Sequence, residues 1–375
     1  MLNHAWAAAE SGFEVTLVGY AETPVDRTLA EHTNVRIRPI QAAGRAPEGF
    51  PRWAVLLYSI GKGLLLSWRL GAALLSGPKP RAIVVQNPPS LPTLPVAWLA
   101  CRVRGAKLWV DWHNFGHSML ALRLGAESRF VRMVRGVEYA LGRRADLHTC
   151  VSNAMGKELE TEAGVRAETL YDQPREILAP LPRDERVALQ QRLFPGERGA
   201  LIHCPTSWTA DENMDLLIEA LRLREAATES SGPPLEIVIT GKGPLRDEYE
   251  PRLRNLELKK TRVATAFLSP EDYRLLLRAA DAGLSLHTSA SLVDLPMKIV
   301  DFFSAGTPVL AYRYSPTLDE QVQEGKTGWT FRDASSLARL LGERSFDENR
   351  AEVARTWRTP WTPAWRETAG RFGLL

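Results

Sequence analysis

The sequence has little cysteine. Cys101, Cys150 and Cys204 are spread over 375 residues, with no Cys-x-x-Cys pair, so neither a disulfide framework nor a zinc site is expected. They read as buried thiols of a reducing compartment, which points to the cytoplasm. Long hydrophobic runs are lacking too: none reaches the ~20 residues of a membrane-spanning helix, and no secretory leader is visible. A soluble protein, or one associated with the cytoplasmic face of a membrane, is therefore expected. Charge of one sign is absent: 47 Lys and Arg against 44 Asp and Glu leave +3, which argues against a nucleic-acid partner. No Asp-x-Asp is present to hold a metal beside a diphosphate, so no metal or other cofactor is expected.

What is present is an alternation of short apolar strands and amphipathic helices. It implies an α/β chain with mainly parallel sheets. Strands are expected near residues 13–19, 35–38, 81–86, 107–111, 146–151, 168–171, 200–205, 235–240, 282–287, 309–312 and 327–331. Pro180 and Pro182 mark a linker, giving an N-terminal domain over 1–178, a second over 179–345 and a tail over 346–375. Trp357, Trp361 and Trp365 in the tail are expected to pack back on the first domain. The alternation opens on a helix, 2–10, where a chain of this type normally has a strand and a glycine-rich loop. Either the true start lies upstream of Met1 or a central strand is missing, and the first is the expectation, because a sheet without it exposes two unpaired edges.

Residues 53–75 read as one long apolar helix interrupted by Lys62 and Arg69. Two readings stay open: a helix buried in the domain, or one that lies in a membrane interface. The arginines of 127–142 read as a solvated helix face.

The polar groups that carry chemistry sit at expected strand ends. Asp111-Trp112-His113-Asn114 follows one strand, and Asp111 and His113 are the candidates for acid–base work. Ser207 lies in the loop after 200–205, and Gly241-Lys242-Gly243 follows 235–240. Lys242 there is placed to pair with phosphate. In the stretch 291–311, Pro296 suits a first helical turn and Gly306 a helix stop. The free amides at Met297 and Lys298 would then form an anion-binding helix end. Asp301 is placed to accept hydrogen bonds from a ribose. Ser269-Pro270-Glu271-Asp272 reads as a helix cap only.

Four segments carry a resemblance. Leu-Pro-Met-Lys-Ile-Val-Asp at 295–301 is preceded by His-Thr-Ser-Ala-Ser at 287–291. Gln-Asn-Pro-Pro-x-Leu-Pro begins at Gln86, Asp-Trp-His-Asn-Phe-Gly at Asp111, and Thr-Ser-Trp-Thr-x-Asp-Glu at Thr206. Together they resemble the chitobiosyldiphosphodolichol β-mannosyltransferase family of GT-B glycosyltransferases. The usual signature of that fold is two glutamates separated by seven residues. Here the second acid is Asp301, and Asp294 lies with only six residues between, so the first acidic position is shifted or lost. The resemblance implies two Rossmann-like domains facing a cleft, and a hexose, mannose from GDP-mannose, moved with inversion to a lipid-diphosphate-linked or related glycan acceptor. It implies donor contacts at Asp301, Lys298, Met297, Lys242, Gly241, Gly243, Ser207 and Asp294, and a peripheral membrane contact through 53–75. Two alternatives stand beside it: a GT-B enzyme using another nucleotide sugar in bacterial envelope polysaccharide synthesis, and a non-catalytic binding subunit of the same fold.

Overall fold

The computed structural model describes every residue except 21–24, 43, 45–50, 197, 228–233, 344–345 and 358. The chain forms two units, one of Met1–Tyr171 with Trp361–Leu375 and the other of Asp172–Pro360.

The first unit runs α1 (Leu2–Glu10), β1 (Val15–Tyr20), α2 (Arg27–Ala30), β2 (Val35–Ile40) and α3 (Arg52–Leu75). It continues through β3 (Ala82–Asn87), α4 (Thr93–Arg104), β4 (Lys107–Trp112), α5 (Gly116–Leu124) and α6 (Arg129–Gly142). β5 (Leu147–Cys150), α7 (Asn153–Glu158) and β6 (Glu168–Thr169) close it. Among the described residues its strands form two separate parallel sheets, β1-β2 and β3-β4-β5-β6. A cavity of about 910 Å³ divides them, lined by β1 on one side and β3 on the other. A strand between β1 and β3 would merge the two sheets into one. The N-terminal ammonium of Met1 lies at the end of β3, 2.7 Å from Gln86 Oε1.

The second unit holds α8 (Arg183–Leu193), β7 (Ala200–Pro205), α9 (Met214–Ala227), β8 (Leu235–Thr240) and α10 (Arg246–Arg254). After these come β9 (Thr261–Ala266), α11 (Pro270–Ala279), β10 (Ala282–Ser285) and α12 (Met297–Ser304). β11 (Val309–Tyr312), β12 (Gly328–Phe331), α13 (Ala334–Glu343) and α14 (Asp347–Thr356) complete it. Its six strands pair in parallel in the order β12-β11-β10-β7-β8-β9. The chain winds outward from β7 to one edge, then restarts at β10 and winds to the other. The carboxyl ends of β7 and β10 therefore flank a topological switch point, where open α/β sheets bind ligands. β10 is buried throughout and β7 at every residue after Ala200, as a sheet covered on two faces requires.

The tail divides. α15 (Trp361–Arg371) belongs to the first unit, where Trp365 stacks on Trp109 with ring centres 6.0 Å apart. Trp357 does not follow it: its ring packs on Phe303 of the second unit, 4.7 Å away. Sequence reading also missed β9 and α10, both of mixed polar composition. All three cysteines are free and buried, and burial pushes the Cys101 and Cys204 thiols up to about 12.

Candidate active site

At the switch point of the second unit, the loop after β7 and the loop after β8 touch backbone to backbone. Gly241 has φ +134°, and a Cβ there would fall 1.8 Å from the Thr206 carbonyl oxygen. A Cβ on Gly243 would fall 1.7 Å from that of Ser207. Only glycine fits at either position. The buried Trp208 indole donates to the Gly241 carbonyl and fastens the two loops together. Beside them is a pocket of about 570 Å³, lined by Thr206, Ser207, Gly241, Lys242, Tyr273 and Lys298 among others. Lys242 is exposed, its ammonium 4.9 Å from the centre of the Phe267 ring.

α12 begins at Met297, with Pro296 as its N-cap and no side chain capping it. Pro296 thus precedes the first turn instead of lying in it. The helix stops where expected, with Gly306 at φ +67°. Lys298 does not reach Asp301. Its ammonium donates to the Pro205 carbonyl at 3.0 Å and pairs with the buried Glu212 carboxylate. Asp301 instead accepts a 3.1 Å hydrogen bond from the Tyr273 hydroxyl. Burial pushes the Asp301 carboxyl up to about 6, against the Tyr273 bond and the charge of Lys298.

Asp294 lies outside the residues that line this pocket. It accepts from Ser289 and lies 3.8 Å from His287 Nε2, while Asp211 lies 3.6 Å from His287 Nδ1. Burial opposes charge on the imidazole, but the two carboxylates win and raise its pKa to about 9. Asp211, Glu212 and His287 bring donor atoms within 4.8 Å of one another. A cation would meet competition there, because Lys298 already neutralises Glu212 and His287 is itself held as a cation.

In the first unit, Asp111 at the end of β4 is buried and receives three side chains. His4 Nε2 approaches its Oδ2 at 2.9 Å and His113 Nε2 at 2.7 Å, while Thr149 donates to Oδ1 at 2.6 Å. The Trp365 indole, which can only donate, reaches His4 Nδ1 at 3.0 Å. His4 is therefore held as the tautomer whose Nε2–H points at Asp111. Burial pushes the Asp111 carboxyl up, but His113 and His4 hold it well below the usual carboxylate range.

A second buried carboxylate organises the neighbouring loops. Glu138 is fully buried on α6 and accepts from Asn87, Ser90, the Gly116 amide, and both the amide and ring of His117. Burial alone would raise its pKa; those hydrogen bonds outweigh it. The loops after β3 and β4 are thus tied to one residue, while Asn114 turns inward to cap the Phe115 amide at 2.7 Å.

The structure thus gathers Lys298, Lys242, Ser207 and Gly241 around one pocket, with Tyr273 joining Asp301 to it, and sets Asp294 in a separate cluster. Tyr273, Glu212, His287, His4 and Glu138 were not singled out in the sequence. Glu212 and His287 both stood inside quoted motifs, the signal that could have found them. Glu138 was hidden in an arginine-rich helix read as solvated.

The model for "Glycosyl transferases group 1" matches residues 192–352, and that for "Glycosyl transferase 4-like domain" matches 2–170. A chitobiosyldiphosphodolichol beta-mannosyltransferase of Arthroderma benhamiae is 36% identical over 96% of this chain and 87% of that protein. The Arabidopsis thaliana protein named UDP-glycosyltransferase TURAN is 35% identical over 91% of this chain and 84% of its own length. Among solved structures, Anabaena HepE in complex with UDP superposes with a TM-score of 0.68 at 16% identity, covering 100% of this chain and 96% of that one. That likeness shows the fold, GT-B.

Proposed function

This chain belongs to the chitobiosyldiphosphodolichol β-mannosyltransferase family of group 1 glycosyl transferases, and from that premise we propose that it moves mannose from GDP-mannose to a lipid-diphosphate-linked chitobiose. The observation that carries the reading is the identity of over a third of residues along nearly the whole chain.

In the second unit, the first amides of α12 at Met297 and Lys298, with the exposed Lys242, receive the donor diphosphate. Lys298 acts mainly by fixing Glu212 and the end of β7, since its ammonium is already paired. Asp301, once ionised, accepts from the ribose hydroxyls while Tyr273 holds its second oxygen. Ser207, Gly241 and Gly243 shape the pocket, with both glycines admitting the close approach of its two loops.

In the first unit, His113 serves as the general base and Asp111 orients it. Asp111 is too buried and too acidic to take the proton itself. As the acceptor oxygen bonds to the anomeric carbon, the bond from that carbon to the diphosphate breaks and GDP leaves with the electron pair. The acceptor proton passes to His113. One displacement inverts the configuration. The positive groups around the leaving diphosphate supply the charge stabilisation such a step needs, so no metal is assigned.

No helix among the described residues is long and apolar enough to cross a membrane. The described residues offer a different kind of contact with the bilayer that carries the acceptor, through exposed apolar side chains. α3 presents Leu57, Ile60, Leu64 and Trp68 to solvent, which favours the interfacial reading of 53–75 over the buried one.

A uridine nucleotide sugar is the second reading, favoured by the name of the Arabidopsis relative. Thermal-shift titration separates the two, because a ligand that binds only the native state raises its stability. Stabilisation by GDP and not by UDP is expected; the reverse overturns the GDP-mannose assignment.

A further inference from the structure

α3, α4, α5 and α6 contain one acidic residue between them, Glu138, and it is fully buried. α3 packs on α4, α4 on α6 and α6 on α5, so the four make one continuous layer. Right-handed crossovers between parallel strands keep α4 and α6 on the same side of the sheet.

The outer face of this layer is apolar as well as basic. On α6, Phe130, Met133 and Val137 recur at i, i+3 and i+7 and all are exposed, Phe130 by 52%. Met119, Leu122 and Leu124 of α5 are exposed too, Leu122 by 70%. Arg123, Arg129 and Arg132 stand exposed among them and make no ion pair with any described residue. An ordinary solvated helix face carries both charge signs and few large apolar groups. Basic side chains interleaved with exposed apolar ones, outnumbering the acids beside them, Glu127 between the two helices and Glu162 paired with Arg135, match a surface that offers negative charge over a hydrocarbon layer.

We propose that the α5–α6 face, continuous through α4 with the apolar stripe of α3, docks the first unit onto an anionic lipid bilayer. The proposal deepens the reading of a lipid-linked acceptor and rests on it. The buried side of the same two helices carries Glu138 and His117, which hold the loops after β3 and β4. The two docking helices are thus bonded on their buried side to the loops beside Asp111 and His113, which brings a membrane-borne acceptor toward the proposed base.

The test is co-sedimentation of the full chain with vesicles of phosphatidylcholine alone and of phosphatidylcholine with phosphatidylglycerol. Binding to the second kind only, weakened by salt, is expected. Each Arg near an anionic surface contributes enough that R129Q/R132Q should lower partitioning by roughly 30-fold. F130S/M133S should also lower it, with circular dichroism unchanged in both variants. Equal binding to both kinds of vesicle, or unchanged partitioning of both variants, overturns the proposal. So does a dimer in lipid-free solution that both variants dissolve, since the occupant would then be a second copy. GDP stabilisation, measured on the same samples without lipid, reports separately on the nucleotide reading.

Discussion

Tyr273 donates to Asp301 Oδ2 across 3.1 Å, and this bond joins α11 to the carboxylate assigned to the ribose. The carboxylate is costly to ionise where it stands, because burial raises its pKa from 3.8 to about 6. The stability tied to its neutral form is complete below 3.8 and is lost as pH rises through 6.

Asp301→Asn should accordingly be more stable than the native chain at pH 8, by up to about 3 kcal/mol, and no more stable at pH 3.5. Urea unfolding at the two values measures it. The same variant should bind GDP more weakly by about 1–3 kcal/mol. A gain in stability with undiminished nucleotide affinity would remove Asp301 from the donor site.

His287 loses its contribution in the same direction, as pH rises, but there the charged form is the one favoured. Its pKa is raised from 6.5 to about 9 by Asp211 and Asp294, so its contribution is complete below 6.5 and is lost as pH rises through 9. Native protein should lose up to roughly 3 kcal/mol between pH 6.5 and 9.5 that His287→Gln does not lose. Parallel stability profiles of the two proteins would contradict the assignment.

Glu138→Ala should cost about 3–5 kcal/mol, because it strands the buried donors of Asn87, Ser90, Gly116 and His117. Glu138→Gln keeps an acceptor oxygen and should cost less. A thermal midpoint unmoved by the alanine variant would show that these loops do not depend on it.

The cavity between β1 and β3 also makes a prediction. A chain carrying a strand-forming segment ahead of Met1 should show a higher thermal midpoint and less aggregation, since the segment fills about 910 Å³ and pairs two sheet edges. No gain in either measurement would mean that the slot does not take a strand.

The fold was largely legible because buried parallel strands such as Leu235–Thr240 and Ala200–Pro205 are mainly apolar, interrupted inside the strand only by Glu236 and by His203. β9, Thr-Arg-Val-Ala-Thr-Ala, is an edge strand whose half-exposed residues dilute that signal. Site residues were legible where backbone demanded a type: Gly241, Gly243 and Gly306 are forced by close approach or by φ. Partnerships were not. Lys298 sits three residues from Asp301, yet its nearest opposite charge is Glu212, 86 residues away in sequence. A spacing of three residues along one helix does not decide a partner that tertiary packing supplies. His4 and Glu138 act through residues distant in the chain, Asp111 and Asn87, and no local pattern announces such contacts.

The most direct test of the central claim is transfer itself. The chain, and an upstream-extended form, would be incubated with radiolabelled GDP-mannose and a chitobiosyl-diphosphate lipid, and the product digested with β-mannosidase. The account predicts a labelled lipid product whose mannose β-mannosidase releases, much reduced in His113→Ala and in Asp301→Ala. Label carried only from a uridine nucleotide sugar, or a product resistant to β-mannosidase, would contradict it.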